Sequence, residues 1–230
     1  MNKLKKFISP FAYPVIRAMR KMLFLSRSRK IRNYKDMAIF EFIVEGDDYH
    51  FVKGTVFDCL FQEYLSAGKF GSERTILDFG GGGGRHGFEA IRKGYVDSWS
   101  VLEIPEFSEV AKKRLDLPKI SFIDQMPADS NSFSIGHASN SLQYTDEPMA
   151  HIRKLVNASG QWLFLEKLIV TKRTKEVRFR QVSKKTEHLP GGFIAKDLVD
   201  GWVSYLVTCP TMRDIESVVC EKFDLVEVRI

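Results

Sequence analysis

The sequence is short of long apolar runs. In its first 32 residues the longest unbroken run is Met22-Leu23-Phe24-Leu25, far below the ~20 residues of a membrane-spanning helix. Pro10, Pro14 and Arg17 interrupt any apolar core of a secretory leader, and no small-residue cleavage site follows. Cysteine is scarce too. Cys59, Cys209 and Cys220 are widely spaced, which excludes a disulfide framework and a Cys-x-x-Cys zinc site. They read as core residues of a protein in a reducing, cytoplasmic compartment. There is no internal repeat, no metal-ligand cluster, no catalytic triad and no Gly-x-x-x-x-Gly-Lys-[Ser/Thr] phosphate loop. The expected metal is therefore none.

What is present starts with charge asymmetry. Residues 1–32 hold ten basic side chains and no acid. Taking those ten from the 35 basic residues leaves 25 against 29 acids, a net of −4, so the overall +6 belongs to a local arm. Within it, Val15 to Leu25 suits a helix with Arg17, Arg20 and Lys21 on one face. Two readings stay open: an interfacial helix at the inner face of an anionic membrane, or a helix docked on the domain with its charges solvated. Nucleic acid is disfavoured as a partner because the rest of the chain is acidic. The boundaries read as an arm over 1–35 and a domain over 36–230. At 44% apolar residues that domain has enough material for a sizeable core.

The most informative stretch is Thr75-Ile76-Leu77-Asp78-Phe79 followed by five glycines, Gly80 to Gly84. Strand, glycine turn and helix form the nucleotide-binding opening of a βαβ unit. Gly82-x-Gly84-x-x-Gly87 satisfies the dinucleotide pattern, but an acid ahead of the glycines would repel a pyrophosphate, and no Tyr-x-x-x-Lys pair follows. Asp78 instead suits a cofactor with a cationic amino-acid end and no phosphate, S-adenosylmethionine. Glu103, at the end of the next apolar run, is placed for ribose hydroxyls.

Asp78-Phe79-Gly80-Gly81-Gly82-Gly83-Gly84 resembles the first motif of the Rossmann-like, class I S-adenosylmethionine-dependent methyltransferases, and residues 134–148 resemble their fourth strand and following helix. The combination of LDFGGGGG, VLEIPE, SNSLQYTDEP and WLFLEK is similar to a poorly characterised family of methyltransferase-like proteins often encoded beside bacterial surface-polysaccharide genes. The resemblance implies methyl transfer, with a small molecule, glycan or lipid-linked sugar as acceptor.

The expected fold is α/β, a Rossmann-like, doubly wound, mostly parallel sheet with helices on both faces. A helix over 55–67 precedes strands at 75–79, 98–103, 119–123, 133–139 and 161–170. Helices follow at 86–93, 106–115 and 146–158. A charged insertion over 171–210 reads as a substrate-side lid or a solvated excursion, then a helix from Met212 to Cys220 and a strand from Asp224 to Ile230. The last antiparallel strand of a full methyltransferase sheet has no evident counterpart. Ligands of such sheets bind at the carboxyl ends of the strands. This selects Asp78, Gly80, Gly81, Gly82, Gly84, Glu103, Asp124, Gln125, Ser139 and Asn140 for the cofactor. The candidates for acceptor and base are His137, Asn140, Glu166, Lys167 and His188, with His86, Gln143 and Tyr144 close by.

Overall fold

A computed structural model describes residue 40 and residues 43–46, 60–68, 70–189 and 201–225. The basic arm, the middle of the insertion and the expected strand over 226–230 lie outside the described residues.

Short β-rich runs alternate with amphipathic helices. The chain runs α1 (Leu60–Ser66), β1 (Thr75–Phe79), α2 (Arg85–Arg92), β2 (Ser98–Leu102), α3 (Pro105–Arg114), β3 (Ile120–Ile123), β4 (Phe133–Ser139), α4 (Pro148–Ala158) and β5 (Ser159–Glu166). It continues with β6 (Val177–Lys184), β7 (Trp202–Cys209) and α5 (Met212–Val219). Pro105 and Pro148 open α3 and α4, where the missing N–H has no helical partner to lose.

Strands β1 to β5 form one parallel sheet in the order β3-β2-β1-β4-β5. Helices cover both faces, so the doubly wound α/β expectation holds. Alternation along each strand sends Ile76, Trp99, Val101, Ile135 and Phe164 to the face packed by α1, α2 and α3. Leu77, Phe79, Leu102 and Ala138 go to the face packed by α4 and α5. The chain order reverses between β1 and β4, the switch point where such sheets take ligands.

Three expectations need correction. Strand β5 ends at Glu166 rather than 170, because Lys167 takes a positive φ of 51° and leaves the ladder. Within the insertion, β6 and β7 pair antiparallel from Val177↔Cys209 to Lys184↔Trp202 as a separate ribbon. Asp224 and Leu225 are not in a strand. Cys209 is buried, but Cys220 is exposed at the end of α5.

Candidate active site

The site is built on the carboxyl end of β1. Gly80, Gly82 and Gly84 all have positive φ, with Gly82 at 59°, a region that costs an L side chain about 1–2 kcal/mol. Gly81 is glycine for a different reason. A Cβ there would run into the Asp78 carboxylate, so the loop backbone sits directly on that acid. Gly82 donates its N–H to Glu103 Oε1 at 2.9 Å, and Ile104 N–H reaches Glu103 Oε2 at 3.3 Å. Glu103 therefore ties the end of β2 to the glycine loop.

Asp78 itself faces inward, 1% exposed. Its Oδ2 accepts from Trp99 Nε1 at 3.1 Å and its Oδ1 lies 2.8 Å from His137 Nδ1. The other ring nitrogen, Nε2, lies 3.2 Å from Glu166 Oε2, and Glu166 Oε1 accepts the backbone N–H of Phe61 at 3.1 Å. The three ionisable groups lie on one face of the sheet because Asp78 and His137 are register partners across β1 and β4, and Glu166 has the parity of Phe164 on β5. The Phe61 ring stacks on His137 at 4.7 Å, and His86 meets the same imidazole edge-on at 5.7 Å.

The electrostatics follow from this packing. Burial pulls His137 towards neutrality, but the charge and hydrogen bond of Asp78, then Glu166, outweigh it and raise its pKa to about 9. Burial would push Glu166 up, yet the hydrogen bond and charge of His137 leave it below the usual carboxylate range. His86 goes the other way: burial, then the His137 charge, lower it to about 4. Both ring nitrogens of His137 are engaged by buried carboxylates, at 2.8 and 3.2 Å, so neither faces a substrate, which counts against its candidacy as a base.

At the ends of β4 and β5 the backbone is strained. Asn140 and Lys167 are both non-glycine residues at positive φ, 54° and 51°. Gln143 spans them, its Nε2 donating to Asn140 Oδ1 at 2.8 Å and towards the Lys167 carbonyl at 3.4 Å. Gln143 is fully buried, and its Oε1 has no partner among the described residues. Strain of about 1–3 kcal/mol per such residue persists where surrounding contacts enforce it, and it gathers at functional sites. Ser139 ends β4 beside this pair. Asp124 and Gln125 are exposed just beyond β3.

The ribbon stands over this end of the sheet. Tyr205 of β7 packs edge-on to Tyr144 at 5.2 Å. Ser183 Oγ lies 2.6 Å from His188 Nε2 and 3.3 Å from Tyr205 Oη, and burial lowers the His188 pKa. His188 therefore belongs to the ribbon cluster, apart from the Asp78–His137–Glu166 bridge. Sequence reasoning missed Trp99, Phe61, Ser183 and Tyr205. Strand parity could have put Trp99 on the face of His137, but no local signal places Phe61 or the ribbon.

A cleft of ≈ 220 Å³, lined by Glu73, Thr75, Asn131 and Gln161 among others, lies at the opposite, amino end of the strands.

Solved structures resemble the chain at low identity. Human N-acetylserotonin methyltransferase, solved in complex with S-adenosylmethionine, aligns at 14% identity over 70% of this chain and 45% of its own, with TM-score 0.43. Streptomyces venezuelae DesVI aligns at 14% identity over 70% of this chain and 80% of its own, TM-score 0.47. The [4+2]-cyclase SpnF aligns at 16% identity over 70% of this chain and 55% of its own, TM-score 0.38. The chain thus spans about half the length of two of the three. No protein-family model and no curated protein matches the sequence. Among the described residues no helix is long and apolar enough to cross a membrane.

Proposed function

We propose that the protein is an S-adenosylmethionine-dependent methyltransferase acting on a hydroxyl of a small molecule, glycan or lipid-linked sugar. The observation that carries the cofactor half is the glycine loop at the switch point, seated on a buried acid and tied to Glu103. A pyrophosphate would meet that buried negative charge unfavourably, whereas a cofactor with a cationic amino-acid end would meet it favourably. The loop residues Gly80–Gly84 would hold the cofactor against the main chain, and Glu103, at the end of β2 beside the loop, would accept from its ribose. The structure alters one expected role. With both oxygens engaged by Trp99 and His137, Asp78 would act through its charge and by fixing the loop. Asp124 and Gln125 stay as candidates for the adenine side, and Ser139 and Asn140 for the cofactor.

When bound, the cofactor supplies an activated methyl group. The chain must then align the acceptor and accept its proton. Asn140 and Lys167, held in place by Gln143, flank the strand ends where an acceptor would arrive. His188, whose pKa burial lowers, stays a candidate to take that proton. The glycan or lipid-linked class rests on the sequence resemblance. The basic arm over 1–35 adds the proposal of contact with anionic membrane. Full-length protein should cosediment with vesicles containing anionic lipid at low salt, and deletion of residues 1–32 should abolish this while cofactor binding persists.

Calorimetric titration with S-adenosylhomocysteine and, separately, NAD tests the cofactor reading. Binding of the first and not the second is expected. Glu103→Ala should weaken it by about 1.5–3 kcal/mol, roughly 10- to 150-fold. NAD binding alone would replace this reading by an oxidoreductase. A second reading, a methyltransferase-like fold that binds without transferring, is favoured by one observation: His137 and Glu166, two of the candidates for base, are consumed in an internal bridge. S-adenosylhomocysteine binding with no turnover of S-adenosylmethionine across hydroxyl acceptors would select it.

A further inference from the structure

The Asp78–His137–Glu166 bridge is more than packing requires. Asp78 and His137 are 1% and 0% exposed, and the Glu166 side chain is 9% exposed. Buried ions usually cost more than their attraction returns unless the remaining polar atoms are also satisfied. Here they are. Each imidazole nitrogen meets a carboxylate, and the second oxygen of each carboxylate takes another donor, Trp99 Nε1 at one end and the Phe61 N–H at the other.

The line of contacts has two informative ends. At one, Phe61 of α1 gives its N–H to Glu166 and lays its ring on His137, with an interplanar angle of 24°. At the other, the Asp78 carboxylate fills the space where a Gly81 side chain would go. A backbone hydrogen bond in α1 and the floor of the glycine loop are therefore joined through one imidazole. The charged or titratable groups facing that ring are Asp78 from β1, Glu166 from β5 and His86 from α2, with Arg85 next to His86. Trp99 and Phe61 complete the surround without charge.

We propose that His137 is a positioning residue whose bridge couples the docking of α1 to the cofactor loop, so that cofactor held on Gly80–Gly84 and α1 held on Glu166 reinforce one another. This rests on the cofactor reading above. A ligand that fixes the loop fixes the Asp78 carboxylate beneath it, hence the imidazole, hence Glu166 and the Phe61 N–H. By thermodynamic reciprocity, a well-docked α1 raises cofactor affinity by the same factor.

The test is hydrogen exchange of the α1 amides in the full chain, with and without saturating S-adenosylhomocysteine, using α5 as the internal reference. In the wild type at pH 7 the ligand should slow α1 roughly ten-fold more than α5, within the usual range of coupling between sites. Glu166→Gln keeps shape and an acceptor but loses the charge, and the excess slowing should vanish. Val218→Ala, in α5 on the opposite face, lowers stability but should keep it, which a merely structural role for the bridge would not predict. The wild type at pH 10, corrected for intrinsic exchange, should resemble Glu166→Gln and decides the matter if that variant does not fold. Calorimetric binding with no excess slowing in the wild type, or equal slowing in Glu166→Gln or at pH 10, overturns the coupling and leaves the cofactor reading intact. Failure of S-adenosylhomocysteine to bind the wild type overturns both.

Discussion

On the sheet face covered by α1, α2 and α3, the carboxyl ends of β1, β4 and β5 carry Asp78, His137 and Glu166 among aromatic rings. One residue along, on the face covered by α4 and α5, the same strands present Leu77, Ala138 and Leu165. The same backbone ladder thus has an ionic, directional face and an aliphatic, non-directional one. Dispersion and apolar burial tolerate small shifts, whereas a chain of charge-assisted hydrogen bonds fixes orientation within a few tenths of an ångström. The ionic face is the one beneath the glycine loop, where position matters most.

The comparison can be broken from its ionic side first. Asp78→Ala leaves His137 and Glu166 as a buried, half-partnered pair and should cost about 3–5 kcal/mol of unfolding free energy. The sequence places Asp78 at the cofactor, where its loss would weaken binding alone. Its burial and two side-chain partners revise that expectation, and urea denaturation checks it. If the loss is below about 1 kcal/mol, the bridge is not the anchor of this face.

On the aliphatic face, Leu155→Ala removes a fully buried side chain of α4 and should cost about 2–5 kcal/mol through lost transfer energy and a cavity. The distinguishing observation is pH. Measured at pH 6.5 and 9.5, the Leu155→Ala loss should stay constant, whereas the Asp78→Ala loss should shrink at the higher pH.

The wild type should show the reason. The folded pKa of His137, about 9, lies above its ordinary 6.5. Its contribution is fully present below about pH 6.5 and is lost as pH rises through 9, a change on the order of 3 kcal/mol. Glu166, held below its ordinary value, contributes in the opposite sense and loses its share as pH falls through the acid range. Stability curves from pH 5 to 10 should therefore decline on the alkaline side. A flat curve there would mean that His137 is neutral in the folded protein.

The smallest effect sharpens the aliphatic face. Thr211 caps α5, its hydroxyl accepting the Asp214 N–H at 3.0 Å, and Thr211→Ala should cost about 1 kcal/mol. Because α5 lies on the far face, the ligand-dependent slowing of α1 should survive this change.

Much of this architecture is legible locally. The period-two runs, the prolines opening α3 and α4, and the glycine run after β1 report their own backbone preferences, so element order, sheet class and loop position follow from neighbours in sequence. Strand parity also puts Asp78 and His137 on faces that can coincide, though not which strands are adjacent. The ends of elements were harder. Lys167 stops β5 because it is drawn into a left-handed turn beside Asn140 by Gln143, a residue 24 positions earlier. The ribbon pairs Val177 with Cys209, a separation over which no periodicity signals pairing.

What the sequence by itself determined is the loop and the acids at its edge: a glycine run between a strand-ending acid and a helix fixes a turn at the carboxyl end of β1. Only the tertiary structure decided what each acid does. Glu103 reaches the loop, while Asp78 and Glu166 turn inward to share one imidazole, because a carboxylate's role depends on which donors the fold brings within about 3 Å. Those donors, Trp99, His137 and the Phe61 N–H, come from three separate elements.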